Sequence, residues 1–299
     1  MFAVQFSRFG PPEVLSVGQF PEPHAGPGQV RVKVQAAGIS PVDIGFRGGR
    51  SSMPITLPHV PGVDAAGVVD EVGPDVTGVA VGDEVFGGVD VSRLGGASAE
   101  FAVLAFWAAK PVSMPWAEAG AGGTSIETAT RVLDLLDVRG GTTLLVDGAT
   151  GGVGGMAVQL AVARGATVIG TGSPEHHDVL AGLGAIPAGY GERFRHGRVD
   201  LALDVAGAGS LPELVALTGS AASVVTIADL TGPALGVRLS RGDLAGEPNG
   251  RHGLAEAAAL FEEGRFRVPL REVFPMDQAA RAHALAERRP RWGKVVLTV

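Results

Sequence analysis

The sequence predicts an α/β protein in two parts, a β-rich unit and a doubly wound parallel sheet. Three observations carry that expectation. Residues 1 to about 117 read as short strands broken by Gly and Pro. From about 118 onward, apolar strand-like runs alternate with helical patterns. At 144–154 an apolar run ends in a glycine-rich turn that opens a helix.

Taken in order, residues 29–36 alternate polar and apolar side chains, the pattern of a half-buried strand. Residues 67–73 and 82–86 read as further strand and turn pieces. Closely spaced short strands of this kind suggest a small barrel-like unit. Residues 119–136 read as helix, 143–146 as strand, 152–164 as helix and 166–170 as strand. A short helix is expected over 174–183. Residues 199–205 and 223–227 are apolar enough for buried strands. After about 267 strand texture returns and runs to 293–299.

The glycine turn is the most informative stretch. Val153, Met156, Leu160 and Ala161 recur at helical spacing directly after Thr150, Gly151, Gly152 and Gly154. Glycines let a backbone approach a pyrophosphate, and a helix N-terminus supplies free N–H groups. The stretch therefore points to a bound dinucleotide.

Composition narrows the remaining classes. At 299 residues the chain has room for one large domain or two ordinary ones. A net charge of −7 with no Lys/Arg-rich block argues against nucleic-acid or anionic-membrane partners. No apolar run reaches membrane-spanning length, and the first residues do not read as a signal peptide, so a cytoplasmic protein is expected. There is no cysteine, hence no disulfide, thiol nucleophile or thiolate-held metal. Arginine far outnumbers lysine, which occurs only at 33, 110 and 294; with the Ala/Gly richness this suggests a high-GC bacterial genome.

Five segments in a fixed order then resemble the zinc-independent quinone oxidoreductase branch of the medium-chain dehydrogenase/reductase superfamily. They are residues 58–69 (Pro-His-Val-Pro-Gly-Val-Asp-Ala-Ala-Gly-Val-Val), 82–86 (Gly-Asp-Glu-Val-Phe), 127–129 (Glu-Thr-Ala), the turn 151–154, and 293–297 (Gly-Lys-Val-Val-Leu). The resemblance implies a β-rich GroES-like catalytic domain over 1–117 plus 268–299. Between those segments it implies an inserted Rossmann NADP(H)-binding domain over 118–267. Nicotinamide and substrate would meet in a cleft between the two.

Zinc-dependent members place a histidine directly after the glycine that is here Gly62. In this chain that position is Val63, and His59 alone makes no metal site. Without a Lewis acid, oxidation of a simple alcohol loses the group that would hold its alkoxide, whereas an electron-poor acceptor needs none. That favours a quinone or an activated C=C bond.

The residues after the second strand of the nucleotide domain favour NADPH. An NAD-type site carries an acid about 20 residues past the glycine turn. Here the strand end reads Gly-Thr-Gly-Ser, and Ser173-Pro174 also has the form of an N-cap followed by proline. The resemblance places His176 and His177 near a 2′-phosphate, Tyr190 against the adenosine phosphate, and Thr226, Ile227 and Ala228 along the nicotinamide. Residues 190–198 are short for the family, so a helix there is expected to be truncated.

At the reacting end, the resemblance points to Ser40, Asp43, Phe46 and Thr128. Ser40 stands where relatives commonly carry Asn. Asp43 has a structural alternative, capping the turn that follows; Phe46 either stacks on a flat acceptor or belongs to the core. Thr128 either approaches the nicotinamide or bonds its own helical turn. No evident proton donor remains once the one tyrosine is placed at the cofactor. Whether Arg47, Asn249 or Arg251 lines the cleft is left open.

The leading reading is an NADPH-dependent reductase of a small electrophilic acceptor, a quinone or α,β-unsaturated carbonyl. A pathway-specific enoyl reductase of a polyketide-type intermediate and a weakly catalytic NADPH-binding module are the alternatives. Relatives often dimerise through an edge strand, for which residues 236–240 are the candidate.

Overall fold

The computed structural model describes residues 1–50, 53–90, 92, 95–192, 197–289 and 292–299, with Asp243 described by its backbone alone. The chain forms two compact units. One comprises residues 1–124, 254–262 and 268–299; the other comprises 125–253 and 263–267.

In chain order the elements are β1 (Phe2–Gln5), β2 (Ser16–Gln19), β3 (Val30–Ile39), α1 (Pro41–Arg47), β4 (Asp64–Val72), β5 (Glu84–Val89), β6 (Phe101–Ala109) and α2 (Trp116–Leu135). Then follow β7 (Thr143–Asp147), α3 (Gly152–Ala163), β8 (Thr167–Thr171), α4 (His177–Gly182), β9 (Ile186–Ala188), β10 (Leu201–Asp204), α5 (Leu211–Thr218), β11 (Val224–Thr226) and β12 (Arg238–Leu239). The chain closes with α6 (Gly253–Glu262), β13 (Leu270–Pro275), α7 (Ala279–Glu287) and β14 (Lys294–Thr298).

The first unit is built on a six-stranded sheet in the order β13-β14-β3-β4-β5-β6, and β3 also pairs with β6, so β3 to β6 close on themselves. Strand β3 makes this possible because its alternation puts Val30, Val32 and Val34 inside, against Val69, Val85, Ala102 and Leu104. A second core gathers Phe6, Ile39, Ile44, Phe274, Ala282 and Leu297. Ala282 belongs to α7, a helix the sequence reading does not contain. Its nine residues, Ala-Ala-Arg-Ala-His-Ala-Leu-Ala-Glu, are helix formers lodged between two strands, and their burial in this core fixes them.

The second unit holds an all-parallel sheet in the order β12-β11-β10-β7-β8-β9. The chain starts at β7 in the middle, steps outward to β9, returns to β10 beside β7, and steps outward the other way. That is the doubly wound Rossmann order, and its direction reverses between β7 and β10. β7 is buried almost throughout, as a strand covered on both faces must be. β12, at one edge, contains Arg238 and Leu239 of the candidate edge segment. The expected helix over 174–183 is split into a 3₁₀ turn, Pro174–His176, and α4. Among the described residues no helix joins β9 to β10, and residues 193–196 of the short stretch lie outside the described residues.

Candidate functional site

In the nucleotide unit the switch point between β7 and β10 is organised by two buried carboxylates. Asp147 and Asp204 are register partners at the ends of these strands. Asp147 accepts hydrogen bonds from Thr171 Oγ1 at 2.6 Å and Ser210 Oγ at 2.5 Å. Thr171 Oγ1 in turn accepts from the Gly148 N–H at 2.9 Å, which fixes the start of the glycine turn. Asp204 accepts from the N–H groups of Ala206 and Gly207 at 3.0 and 2.9 Å and from Thr226 Oγ1 at 2.7 Å. Burial raises the Asp204 pKa, and the nearby Asp147 charge adds to the rise.

The turn itself divides its glycines by task. A Cβ on Gly154 would stand 2.4 Å from the Gly148 carbonyl oxygen and 2.8 Å from Ala149 Cα, so only glycine lets α3 pack this close to the turn. A Cβ on Gly151, the residue that caps α3, would meet only that same oxygen at 3.7 Å. Space therefore lies open above Gly151, where a pyrophosphate would approach the N–H groups of Gly152 and Val153. Thr150 is buried and packs over Gly172, whose missing side chain makes room for it. The turn thus lies against the end of β8.

That strand end carries no acid. Thr171 is committed to Asp147. Ser173 occupies the N-cap position of the 3₁₀ turn but makes no side-chain capping bond there, which differs from the N-cap expectation. His176 and His177 are half-buried just beyond, and His177 Nε2 is a buried nitrogen without a partner among the described residues. Tyr190 follows β9 and is 40% exposed. The open turn fits a dinucleotide.

Thr226, Ile227 and Ala228 differ from a simple lining segment. The Thr226 hydroxyl donates to Asp204 and accepts from the N–H groups of Ala228 and Asp229 at 3.1 and 2.9 Å. Ile227 donates its N–H to the Asp204 carbonyl. The Thr226 side chain therefore shapes this loop, and only backbone or the side chains of its neighbours remain to meet a ligand. Thr128 likewise is engaged: its hydroxyl donates to Glu127 at 3.1 Å and accepts from Arg131 at 3.3 Å. The expected bond to its own preceding turn is replaced by this contact. Arg131 is buried, pairs with Glu127 at 3.0 Å and binds Ser240, holding the segment after β12 against α2.

In the β-rich unit, Ser40 and Asp43 come together as an i,i+3 capping pair at the head of α1. Asp43 accepts from the Ser40 N–H at 2.7 Å and from the Gly62 N–H at 3.1 Å. It is fully buried, and that desolvation, opposed by the two N–H groups and reinforced by Asp64, pushes its pKa up to about 7. The Ser40 hydroxyl leads to two residues, Asp64 and Lys294, that lie within the sequence motifs but outside the expected site. Lys294 Nζ donates to Ser40 Oγ at 3.0 Å and to Asp64 Oδ2 at 3.1 Å. The Ser40 hydroxyl lies 3.2 Å from the same Asp64 oxygen, while Asp64 Oδ1 accepts the Thr124 N–H at 2.6 Å. Asp64 and Lys294 are both buried. A charged residue inside each of two apolar strands is the signal that finds them, since buried charges require partners.

Phe46 is 7% exposed, as a core residue is. Arg47 is buried too, donating to the Gly10 carbonyl and pairing with Glu287. Beside it His283 is fully buried, and desolvation with the Arg47 charge lowers its pKa to about 3. Asn249 is exposed and accepts the Arg251 N–H at 3.3 Å. Among the described residues no group of three or more His, Asp and Glu is placed to hold a metal ion. No described helix is long and apolar enough to cross a membrane.

Comparison with known proteins adds a history to this geometry. Residues 26–113 match the family described as "Alcohol dehydrogenase GroES-like domain", and residues 188–297 match "Zinc-binding dehydrogenase". The chain is 31% identical to a quinone oxidoreductase of Sus scrofa over 99% of its own length and 97% of that protein's. It is 34% identical to the spectinabilin polyketide synthase system protein NorB of Streptomyces orinoci, over 91% of this chain and 13% of that protein. The structure of a quinone oxidoreductase from Coxiella burnetii superposes with a TM-score of 0.85 at 28% identity, covering 100% of this chain and 99% of that one.

Proposed function

Because the chain belongs to the quinone oxidoreductase branch of the medium-chain dehydrogenase/reductase superfamily, we propose that it is an NADPH-dependent reductase of quinones or α,β-unsaturated carbonyls. The observation that carries this reading is the glycine turn at the switch point of the parallel sheet. It is open above Gly151 and abuts a strand end, at Thr171, that has no acid. Thr150, Gly151, Gly152, Val153 and Gly154 would hold the pyrophosphate at the head of α3. Ser173, His176, His177 and Tyr190 would meet the 2′-phosphate and adenosine, and residues 226–228 the nicotinamide side. When bound, the reduced nicotinamide supplies a hydride.

The chain's own residues orient the two reactants and hold their protons. The buried Asp147 and Asp204 fix the loops at the switch point. Ser40 is the hydroxyl offered to the acceptor oxygen, kept in place at the head of α1 by Asp43. Similarity to a polyketide synthase protein supports an enoyl substrate as the second reading of the same site. Pairing of the edge strand β12 with its copy is the route to a homodimer.

Equilibrium titration of the purified protein with NADPH and NADH tests the cofactor half of this reading. A charge-assisted bond to the phosphate contributes about 1.5–3 kcal/mol, so NADPH is expected to bind at least tenfold tighter. Equal affinities, or tighter NADH, would contradict the phosphate pocket.

A further inference from the structure

Reduction of an enone takes a proton as well as a hydride, and the sequence presents no free acid for it. The buried cluster at the head of α1 holds an ammonium in contact with a hydroxyl. Ser40 Oγ accepts a hydrogen bond from an ammonium at 3.0 Å, which polarises its own O–H and makes it a stronger donor. That O–H has a poor partner: Asp64 Oδ2 stands 3.2 Å away, where a hydroxyl–carboxylate bond is ordinarily about 2.5–2.7 Å. The reason is competition, because the same oxygen is shared with Lys294 at 3.1 Å and the other oxygen is held by the Thr124 N–H at 2.6 Å. The hydroxyl is therefore activated by a cation yet weakly retained.

Other buried cations are arranged differently. Lys110 is spent on the Pro111 and Met114 carbonyls and on Glu84. Arg131 meets hydroxyls on Ser240 and Thr128, but a guanidinium does not release a proton in a protein. A lysine in contact with a hydroxyl can.

We infer that Lys294 is the proton reservoir of the reduction, acting through the Ser40 hydroxyl on the oxygen of an α,β-unsaturated carbonyl acceptor. This rests on the reading above that Ser40 meets the acceptor. Once the acceptor's β-carbon has gained the hydride of the reduced nicotinamide, its oxygen carries the enolate charge. The Ser40 O–H bond breaks as an O–H bond forms on that oxygen. A Lys294 N–H bond breaks as Ser40 regains its hydrogen, leaving a neutral amine beside Asp64. A proton from solvent restores the ammonium, and the enol so formed exchanges its O–H proton for one on the α-carbon to give the saturated carbonyl, so the acceptor has gained one hydride and one proton and the protein is unchanged. A quinone makes a smaller demand, because its hydroquinone anion is stable enough to await a proton from solvent. Asp64 is a positioning residue in this scheme.

The test is the ratio of kcat for a medium-chain 2-enone to kcat for a naphthoquinone, both with NADPH. General acid catalysis contributes about 10²–10⁴-fold, so Lys294→Met is expected to lower the enone rate by about 100-fold or more and the quinone rate by less than about tenfold. Ser40→Ala is expected to shift the ratio in the same direction, and Ser40→Thr, which keeps a hydroxyl, to restore it. A purely structural role would lower both rates together. Because Lys294→Met leaves the Asp64 charge buried and unpaired, Asp64→Asn/Lys294→Met carries the same test with no unpaired charge. A ratio within about threefold of wild type in the double variant and in Ser40→Ala would overturn the inference while leaving the proposed function standing. A wild type that reduces the quinone and not the enone would overturn it as well. Loss of both activities in the wild type would instead refute the proposed function itself.

Discussion

Asp147 and Asp204 in one unit and Asp64 in the other are equally buried but in different company. In the nucleotide unit, Asp147 and Asp204 accept from hydroxyls and backbone N–H groups: Thr171, Ser210, Thr226, Ala206 and Gly207. In the β-rich unit, Asp64 sits beside Lys294, and Arg47 beside Glu287 and His283. Equal burial thus serves two purposes, and the partner tells them apart. A carboxylate met by neutral donors pins loops into the shape a ligand needs. A carboxylate met by a lysine positions an ammonium, the proton reservoir of the proposed reduction.

The largest break in this contrast should come from leaving a charge alone. Lys294→Met is expected to cost about 3–5 kcal/mol in urea unfolding, since it strands the Asp64 carboxylate, and Asp64→Asn in the same chain to recover most of it. In the nucleotide unit no cation is removed by the comparable change. Asp204→Ala strands neutral donors and should cost about 1–3 kcal/mol by the same assay. A larger loss for Asp204→Ala than for Lys294→Met would erase the distinction.

The charged unit should also carry two opposed pH dependences. His283 is held at about 3 against 6.5 in the unfolded chain. The unfolded chain therefore takes the proton first, and stability falls as pH drops below about 6.5, by about 2 kcal/mol at pH 5. Asp43 is held at about 7 against 3.8. The native state keeps that proton longer, so stability falls as pH rises, by about 2 kcal/mol between pH 5 and 7. The two nearly cancel in the wild type. Replacing His283 by leucine should expose the Asp43 slope, and Asp43→Asn should expose the opposite one. Denaturant unfolding of each variant at pH 5 and pH 7 would show this, and slopes of the same sign would contradict it.

The smallest effect sharpens the comparison inside the nucleotide unit. Gly151→Ala should leave the melting temperature nearly unchanged and weaken NADPH binding by about tenfold, roughly 1.4 kcal/mol, because its Cβ fills open space above the turn. Gly154→Ala should instead lower the melting temperature, its Cβ being blocked by backbone. Identical behaviour of the two would remove the basis for separating fold glycines from ligand glycines.

What the sequence made legible follows from distance along the chain. The parallel sheet and its glycine turn are local patterns, a run of apolar residues and a helix start within 144–161. Asp43 is legible as a cap of the turn that follows, but the helix whose head it caps, α1, is not. Lys294 joining Ser40 and Asp64 is not legible either, because the three arrive from the end of β3, the start of β4 and the start of β14. Thr128 and Thr226 teach the complementary lesson: a hydroxyl at a family position is spent on neighbours that only the folded chain supplies. Helix α7 escaped notice because its alanines acquire a burial preference only from the strands packed beneath them.

The most direct measurement is NADPH consumption by the purified protein, with a naphthoquinone and a medium-chain 2-enone assayed in parallel and NADH as the control. The account predicts turnover of at least one acceptor with NADPH, at a kcat/KM at least tenfold above that with NADH. No NADPH oxidation with either acceptor, or equal rates with NADH, would contradict it.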